Sequence, residues 1–317
     1  MTYRLINKQA DRYYDVTSLV QSIQWGGDVR QAARKLTVNL VYSRDGNQPR
    51  FKPGLASWFM LENDGKEIIR AVVFNNEIDA SGSLTVEAYT HAIYLLKSKR
   101  SMTFRNTSAE QVIRQVCEIH GIRIGSLPNT GVVLKKLICR NKTLYDICTE
   151  ALAEASKRNG KKYQIRFYEG ALHVIERGAQ TVRWRIEQGS NLINARYSES
   201  IEEMKNRILI VGKDNKIIAD VKNEELIRQY GLLQELQQEN DATPGEAKTI
   251  AENLLKELGR VFWSADVECI GIDDVEAGDV IEIQDSLTGL IGTFVIDEDD
   301  HTVENGRHTM RLKLDAV

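Results

Sequence analysis

The chain has 317 residues, 42 % of them hydrophobic and 27 % charged, with 42 basic against 45 acidic side chains and a net charge of −3. That length and balance suit a soluble globular protein of about two or three domains. They argue against a general binder of nucleic acid or anionic membrane. No apolar run approaches the roughly 20 residues of a membrane span. The opening MTYRLINKQADRYY has no apolar signal core, so neither membrane insertion nor a signal peptide is expected. The cysteines are Cys117, Cys139, Cys148 and Cys269, with no C-x-x-C pair. Reduced, buried thiols in a protein made in the cytoplasm are expected, with a single disulfide left open.

Residues 3 to 42 read as strands. Arg4–Asn7 opens, Asp15–Thr17 leads into Leu19–Trp25, Gly26-Gly27 interrupts, and Lys35–Val41 follows with Leu36, Val38 and Leu40 on one face. Ser43 to Pro49 is a polar loop. Residues 53 to 90 then form an antiparallel meander. An apolar run at Trp58–Leu61, a turn at Asp64-Gly65, a strand Ile68–Phe74, a turn at Ser81–Ser83 and a strand Leu84–Tyr89 follow in order.

Residues 100 to 177 change character. Thr107–Glu110 has the form of a capping box, and Val112, Ile113, Val116 and Ile119 follow at helical spacing before Gly121. Residues 122 to 140 look extended, with a loop at Pro128-Asn129. Thr143–Asp146 starts a second helix whose apolar face is Leu144, Ile147, Cys148, Ala151, Leu152 and Ala155, ended by Gly160. Tyr163–Phe167 and Leu172–Ile175 form a hairpin about Glu169-Gly170.

After Arg177 the β pattern returns at Thr181–Ile186 and Leu192–Val211. A hairpin joins Ile208–Val211 to Ile217–Val221 around Asp214-Asn215, and Asn223–Tyr230 reads as a short helix. Leu232–Gln238 is open between helix and strand. Thr243-Pro244-Gly245-Glu246 is the clearest helix start, with a buried stripe of Ala247, Ile250, Ala251, Leu254, Leu255 and Leu258 before Gly259. Residues 261 to 270 lead into a closing meander over 274 to 317. Its runs carry Val280, Ile281 and Ile283, then Leu290, Phe294 and Ile296, then Met310, Leu312 and Leu314, with turns at Thr288-Gly289 and Asn305-Gly306.

The two meanders share their order of strands and turns, with Pro53-Gly54 standing where Ala277-Gly278 stands. Tyr197 precedes Ile208 by the interval that separates Trp25 from Leu36. The second half thus reads as a degenerate repeat of the first.

Catalytic signatures such as G-x-S-x-G, H-E-x-x-H, a P-loop or G-x-G-x-x-G do not occur, nor does a zinc-type Cys/His spacing. Of five histidines, His301 lies among Asp297, Asp299 and Asp300. A metal or acid–base site is conceivable there, against a solvated acidic loop before a turn. His120 fits a structural place at a helix end. Trp25, Trp58, Trp184 and Trp263 suit core or interface packing, or carbohydrate stacking. Arg30, Arg34 and Lys35, and Arg183 and Arg185 around Trp184, suit a solvated strand face, or a pore lining or acidic partner. No catalytic, metal or cofactor residue is assigned.

Taken together, the stretches DVTSLVQSIQW, FRNTSAEQVIRQVCEIHGI, NKTLYDICTEALAEASKRNGKKY, ESIEEMKNRILIVG, YGLLQEL and GLIGTFVIDEDDHTVENGRHTMRLKL are similar to the baseplate hub proteins of contractile phage tails. The resemblance is to the XkdQ/YqbQ type of Gram-positive prophages and covers almost the whole chain. It implies a mainly β fold with two tail-tube-like β-barrel domains, residues 1–99 and 179–317 (the latter with a helix at 244–258), flanking a small α+β insert at 100–178. It implies a non-enzymatic homotrimer in the baseplate of a virion or R-type bacteriocin particle, assembled in the host cytoplasm. Its partners would be the tail tube protein, the central spike protein and other baseplate proteins, with DNA only as possible passage through the lumen. A tail-tip peptidoglycan-degrading enzyme or a wall-binding module is the alternative, with Asp299, Asp300 and His301 as weak candidate residues.

Overall fold

The computed structural model describes residues 3–42, 50–168, 171–177 and 182–316. The expected loop at Ser43–Pro49 and turn at Glu169-Gly170 lie outside the described residues. The first β region comprises β1 (Tyr3–Gln9), β2 (Arg12–Asp15), β3 (Val20–Asp28), β4 (Lys35–Val41), β5 (Trp58–Asn63), β6 (Lys66–Ile78) and β7 (Ser83–Tyr89). A middle unit follows: α1 (Ile93–Lys97), β8 (Lys99–Ser108), α2 (Ala109–Ile119), β9 (Val133–Thr143), α3 (Leu144–Asn159), β10 (Tyr163–Tyr168) and β11 (Ala171–Glu176). The last region comprises β12 (Trp184–Glu187), β13 (Leu192–Ser200), β14 (Arg207–Val211), β15 (Ile217–Lys222), α4 (Glu224–Tyr230), β16 (Gln234–Gln238), α5 (Pro244–Leu258), β17 (Phe262–Ile270), β18 (Val280–Asp285), β19 (Leu290–Glu304) and β20 (Arg307–Ala316).

The chain is mainly β, with an α+β unit between two β regions, as the sequence pattern implies. In the first region the strands run β3-β4-β7-β6-β5-β1-β2, and in the last β13-β17-β20-β19-β18-β12. Each region packs its strands around its own apolar core. Alternation in β4, β5 and β7 puts Leu36, Val38, Leu40, Phe59, Leu61, Leu84 and Val86 on one buried face. Ile281, Ile283, Ile296, Met310, Leu312 and Leu314 do the same in the last region. The middle unit has its own core, in which Val112, Ile113 and Val116 of α2 meet Ile147, Cys148 and Leu152 of α3.

Several expectations need correction. The capping box of α2 is shifted by one residue, to Ser108 with Gln111. Glu110 instead accepts from the Thr130 hydroxyl. Leu232–Gln238 is settled as a strand, β16, parallel to β14. Tyr197 pairs with Ala265 of β17, whereas Ile208 belongs to a separate three-stranded sheet, β15-β14-β16, covered by α5. Residues 201–261 are therefore an insertion between β13 and β17. The corresponding β3–β4 link takes only residues 29–34. All four cysteines are free and buried. Burial pushes Cys117 and Cys139 up to about 11 and Cys269 up to about 12.

Candidate functional site

The half-sheets repeat each other residue for residue, which fixes what is special about their junction. Trp25, Leu36, Ala88 and Val73 pair in a row across β3, β4, β7 and β6. Tyr197, Ala265, Leu314 and Ile296 form the same row across β13, β17, β20 and β19. A bulge between Val73 and Asn75 matches one between Ile296 and Glu298, and one between Val20 and Ser22 matches one between Leu192 and Asn194. The Leu36–Ala88 pair becomes Ala265–Leu314, which conserves volume across the two strands.

The backbone entering the meanders also corresponds. Ala56 N–H donates to the Val73 carbonyl and Gly278 N–H to the Ile296 carbonyl. Both residues have positive φ, +64° and +91°. The true counterpart of Gly278 is thus Ala56, two residues after the expected Gly54. The repeat ends at the outer strand, since β1 is antiparallel to β5 but β12 is parallel to β18.

The two halves join where β3 pairs antiparallel with the second half of β19, Trp25 opposite His301 and Gly27 opposite Asp299. Asp297 to His301 is therefore strand, not the expected solvated loop. Asp299 and His301 are buried at 1 % and 0 % exposure. The Gly26-Gly27 interruption has a packing cause, because a Cβ on Gly26 would lie 2.3 Å from the Asp299 carbonyl oxygen.

Arg34 is drawn into this junction, which corrects its assignment to a solvated or pore-lining face. Its Nη1 and Nη2 donate to Asp299 Oδ1 and Oδ2 at 2.8 and 2.6 Å. Ala277 N–H donates to Asp299 Oδ1 at 2.6 Å. Burial alone would raise the Asp299 carboxyl, but the Arg34 charge and the hydrogen bonds from His301 and Arg34 hold it down at about 2. Trp25 stacks on His301 at 4.8 Å and 7°. His301 Nε2 lies 3.0 Å from the Val275 carbonyl, which can only accept, so that nitrogen carries the proton. His301 Nδ1 lies 3.1 Å from His308 Nε2. Next, His308 Nδ1 lies 2.9 Å from the Tyr3 hydroxyl, which donates to Asp273 Oδ1 at 2.7 Å. Burial, then the neighbouring His301, depresses His308 to about 4.

This network binds strands from both halves and occupies its own donors. Asp299 accepts from Arg34 and Ala277 and touches His301. Asp300 accepts from Gln24 and is pushed up by burial. Asp297 pairs with Arg177 and approaches Arg30. Among the described residues no group of three or more His, Cys, Asp or Glu is placed to hold a metal ion.

The other candidates scatter. His120 caps α2 through its backbone N–H. Trp58 stacks on His91 at 5.6 Å, Trp184 is 37 % exposed, and Trp263 packs edge-on against Phe294. Lys35 pairs with Glu87, Arg30 with Asp28, and Arg185 holds Glu282 bidentately, while Arg183 is exposed.

Besides the outer strands β2 and β12, two strand edges next to the repeated rows stay open among the described residues. β13 ends the large sheet. The Asn75–Ile78 part of β6 corresponds to Glu298–His301, but no strand lies where β3 lies on β19. Tyr197, the counterpart of Trp25, is 41 % exposed where Trp25 is 2 % exposed. Sequence reasoning missed these residues because β13, with the pattern SES after Tyr197, looks like any polar strand.

Comparison with known proteins agrees with this architecture. The chain is 28 % identical over 309 residues to the phage-like element PBSX protein XkdQ of Bacillus subtilis, covering 93 % of this chain and 91 % of that one. Its fold matches the 43 kDa tail protein of prophage MuSo2 from Shewanella oneidensis with a TM-score of 0.75 at 14 % identity, over 98 % of this chain and 97 % of that one. It matches a tail protein of Neisseria meningitidis MC58 with a TM-score of 0.76 at 10 % identity, over 99 % and 97 %. The YqbQ-like family model matches residues 23–315, so this chain, with the fold of phage tail proteins, belongs to the YqbQ-like family.

Proposed function

We propose that this protein is a structural hub of a phage-type tail baseplate, without catalytic activity. Three copies would close a ring of six similar half-units, an adaptor between a six-fold tail tube and a three-fold central spike. The two tube-like units are residues 1–99 and 179–317, with 100–178 as the α+β unit outside the ring or towards the spike. The observation that carries the reading is the β3–β19 junction. One chain already contains one contact between equivalent half-sheets, and it leaves open the two edges, on β13 and β6, that would make the same contact with another copy. Open edges of this kind are normally covered.

The particle, virion or bacteriocin, would be assembled in the host cytoplasm, with tube, spike and other baseplate proteins as partners. Light scattering with negative-stain imaging of the purified chain tests the reading. A three-fold ring with a central hole, at three times 35.9 kDa, is expected. A monomer at high concentration with no affinity for tube or spike protein overturns it.

A further inference from the structure

We infer that the contact between copies repeats the internal β3–β19 contact register for register, but replaces its buried ion pair with a neutral hydrogen bond from Trp263 to Asn76. The inference rests on the ring reading above. The internal repeat translates each pair. Trp25 opposite His301 becomes Tyr197 opposite Ile78, and Gly27 opposite Asp299 becomes Glu199 opposite Asn76 of the neighbouring copy. Within one chain these edges stand at opposite ends of the run β13-β17-β20-β19-β3-β4-β7-β6, so a second copy has to supply the partner.

Three observations support the assignment independently of the register. Tyr197 is 41 % exposed although its counterpart Trp25 is buried, and its ring is covered only on the side where it meets Trp263 at 6.0 Å. Asn76 donates through Nδ2 to the Pro53 carbonyl at 2.7 Å, whereas Asp299 accepts from the Ala277 N–H, so each side chain is tied to the segment that enters its meander. The remaining acceptor, Asn76 Oδ1, is buried and has no hydrogen-bond partner among the described residues. A buried polar atom left unsatisfied in this way calls for a donor. The donor to Asp299 is Arg34, two residues before Leu36. Two residues before Ala265, the counterpart of Leu36, stands Trp263, whose indole N–H is a donor only. Arg34 and Asp299 thus become Trp263 and Asn76, and the buried ion pair disappears from the contact, while the Glu199 carboxylate, bound by the Tyr197 hydroxyl, stands beside it.

One difference is built in. Ser198 stands where Gly26 stands, and a side chain at Gly26 would meet the facing carbonyl. The strands of two copies therefore lie farther apart at that pair than β3 and β19 do. A contact without that buried ion pair should also tolerate salt better than the internal one.

The test is a disulfide placed by register. Tyr197→Cys with Ile78→Cys puts the new thiols on directly opposed residues, within bridging distance. Tyr197→Cys with Asn76→Cys is off register by two residues and beyond it. The four native cysteines are buried, so background linkage is small. On mild oxidation the first pair should give a covalent trimer on a non-reducing gel, and the second should give at least tenfold less. Trp263→Phe, which keeps the ring but removes the N–H, should make the trimer dissociate at about tenfold higher concentration. Raising NaCl to 1 M should not. If the unsubstituted chain is a trimer but the off-register pair links as well or better, the register is wrong and the ring reading stands. If Trp263→Phe leaves the dissociation midpoint unchanged, the hydrogen bond is wrong. If the unsubstituted chain stays monomeric at high concentration and binds neither tube nor spike protein, both readings fall.

Discussion

Arg34 and Asp299 stand 265 residues apart in the chain, yet they form a bidentate pair at 2.8 and 2.6 Å that joins the two halves. The Asp299 side chain is 0 % exposed and that of Arg34 15 %. Removing one member leaves the other charge buried without compensation. Asp299→Asn or Arg34→Met should therefore destabilise the fold by about 3–5 kcal/mol. The double variant Arg34→Met with Asp299→Asn should lose less than the two single losses added. Urea unfolding of the four proteins closes this cycle, and additive losses would show that the pair is not coupled.

Acid should weaken the same junction in two stages. His308 is depressed from 6.5 to about 4, so between those values the unfolded chain binds more protons than the folded one. Its contribution is complete above pH 6.5 and is lost as pH falls towards 4, about 3 kcal/mol in all. Asp299, held down from 3.8 to about 2, adds a second loss as pH falls through that lower range. Unfolding midpoints measured from pH 7 to 4 should fall for the wild type, and His308→Phe should flatten that slope.

Ala56 and Gly278 occupy equivalent positions with φ of +64° and +91°, so opposite substitutions should have opposite signs. Ala56→Gly removes the strain of a Cβ in the left-handed region, which exceeds the added freedom of the unfolded chain, and should stabilise by up to about 1 kcal/mol. Gly278→Ala should destabilise by more than that, because its Cβ would lie 2.0 Å from Gln164 Oε1. Thermal unfolding compares the two directly, and equal signs would show that the two turns are not equivalent.

The thiols offer a check on packing. With all four buried and free, a thiol reagent should find almost none in the folded protein and four after denaturation. Rapid reaction of any one under native conditions would contradict the described cores.

Much of the architecture was legible along the chain. Period-two alternation marked β4, β5, β7, β18, β19 and β20, since a strand that buries one face must alternate. Thr143 and Thr243 marked α3 and α5, because a free helix end demands a local acceptor. The change of pattern after residue 99 and its return after 177 separated the middle unit. The repeated meander pointed to two similar halves.

What the chain could not display is which distant strands meet. Asp297–His301 looks like a polar loop because its acids are bound by Arg34, Gln24 and Arg177, none of them close in sequence. Ile208 looked like the partner of Tyr197 because equal spacing is the only cue a sequence offers, and the insertion at 201–261 made that cue false. Local composition therefore determined the strands, helices, turns and the order of the units, all of which depend on neighbours a few residues away. The tertiary structure alone decided that Gly26 lies against Asp299, that Arg34 is buried rather than solvated, and that the edges of β13 and β6 remain open. Those outcomes depend on the twist and register of a sheet built from residues hundreds of positions apart, where a shift of one residue would turn every side chain to the other face.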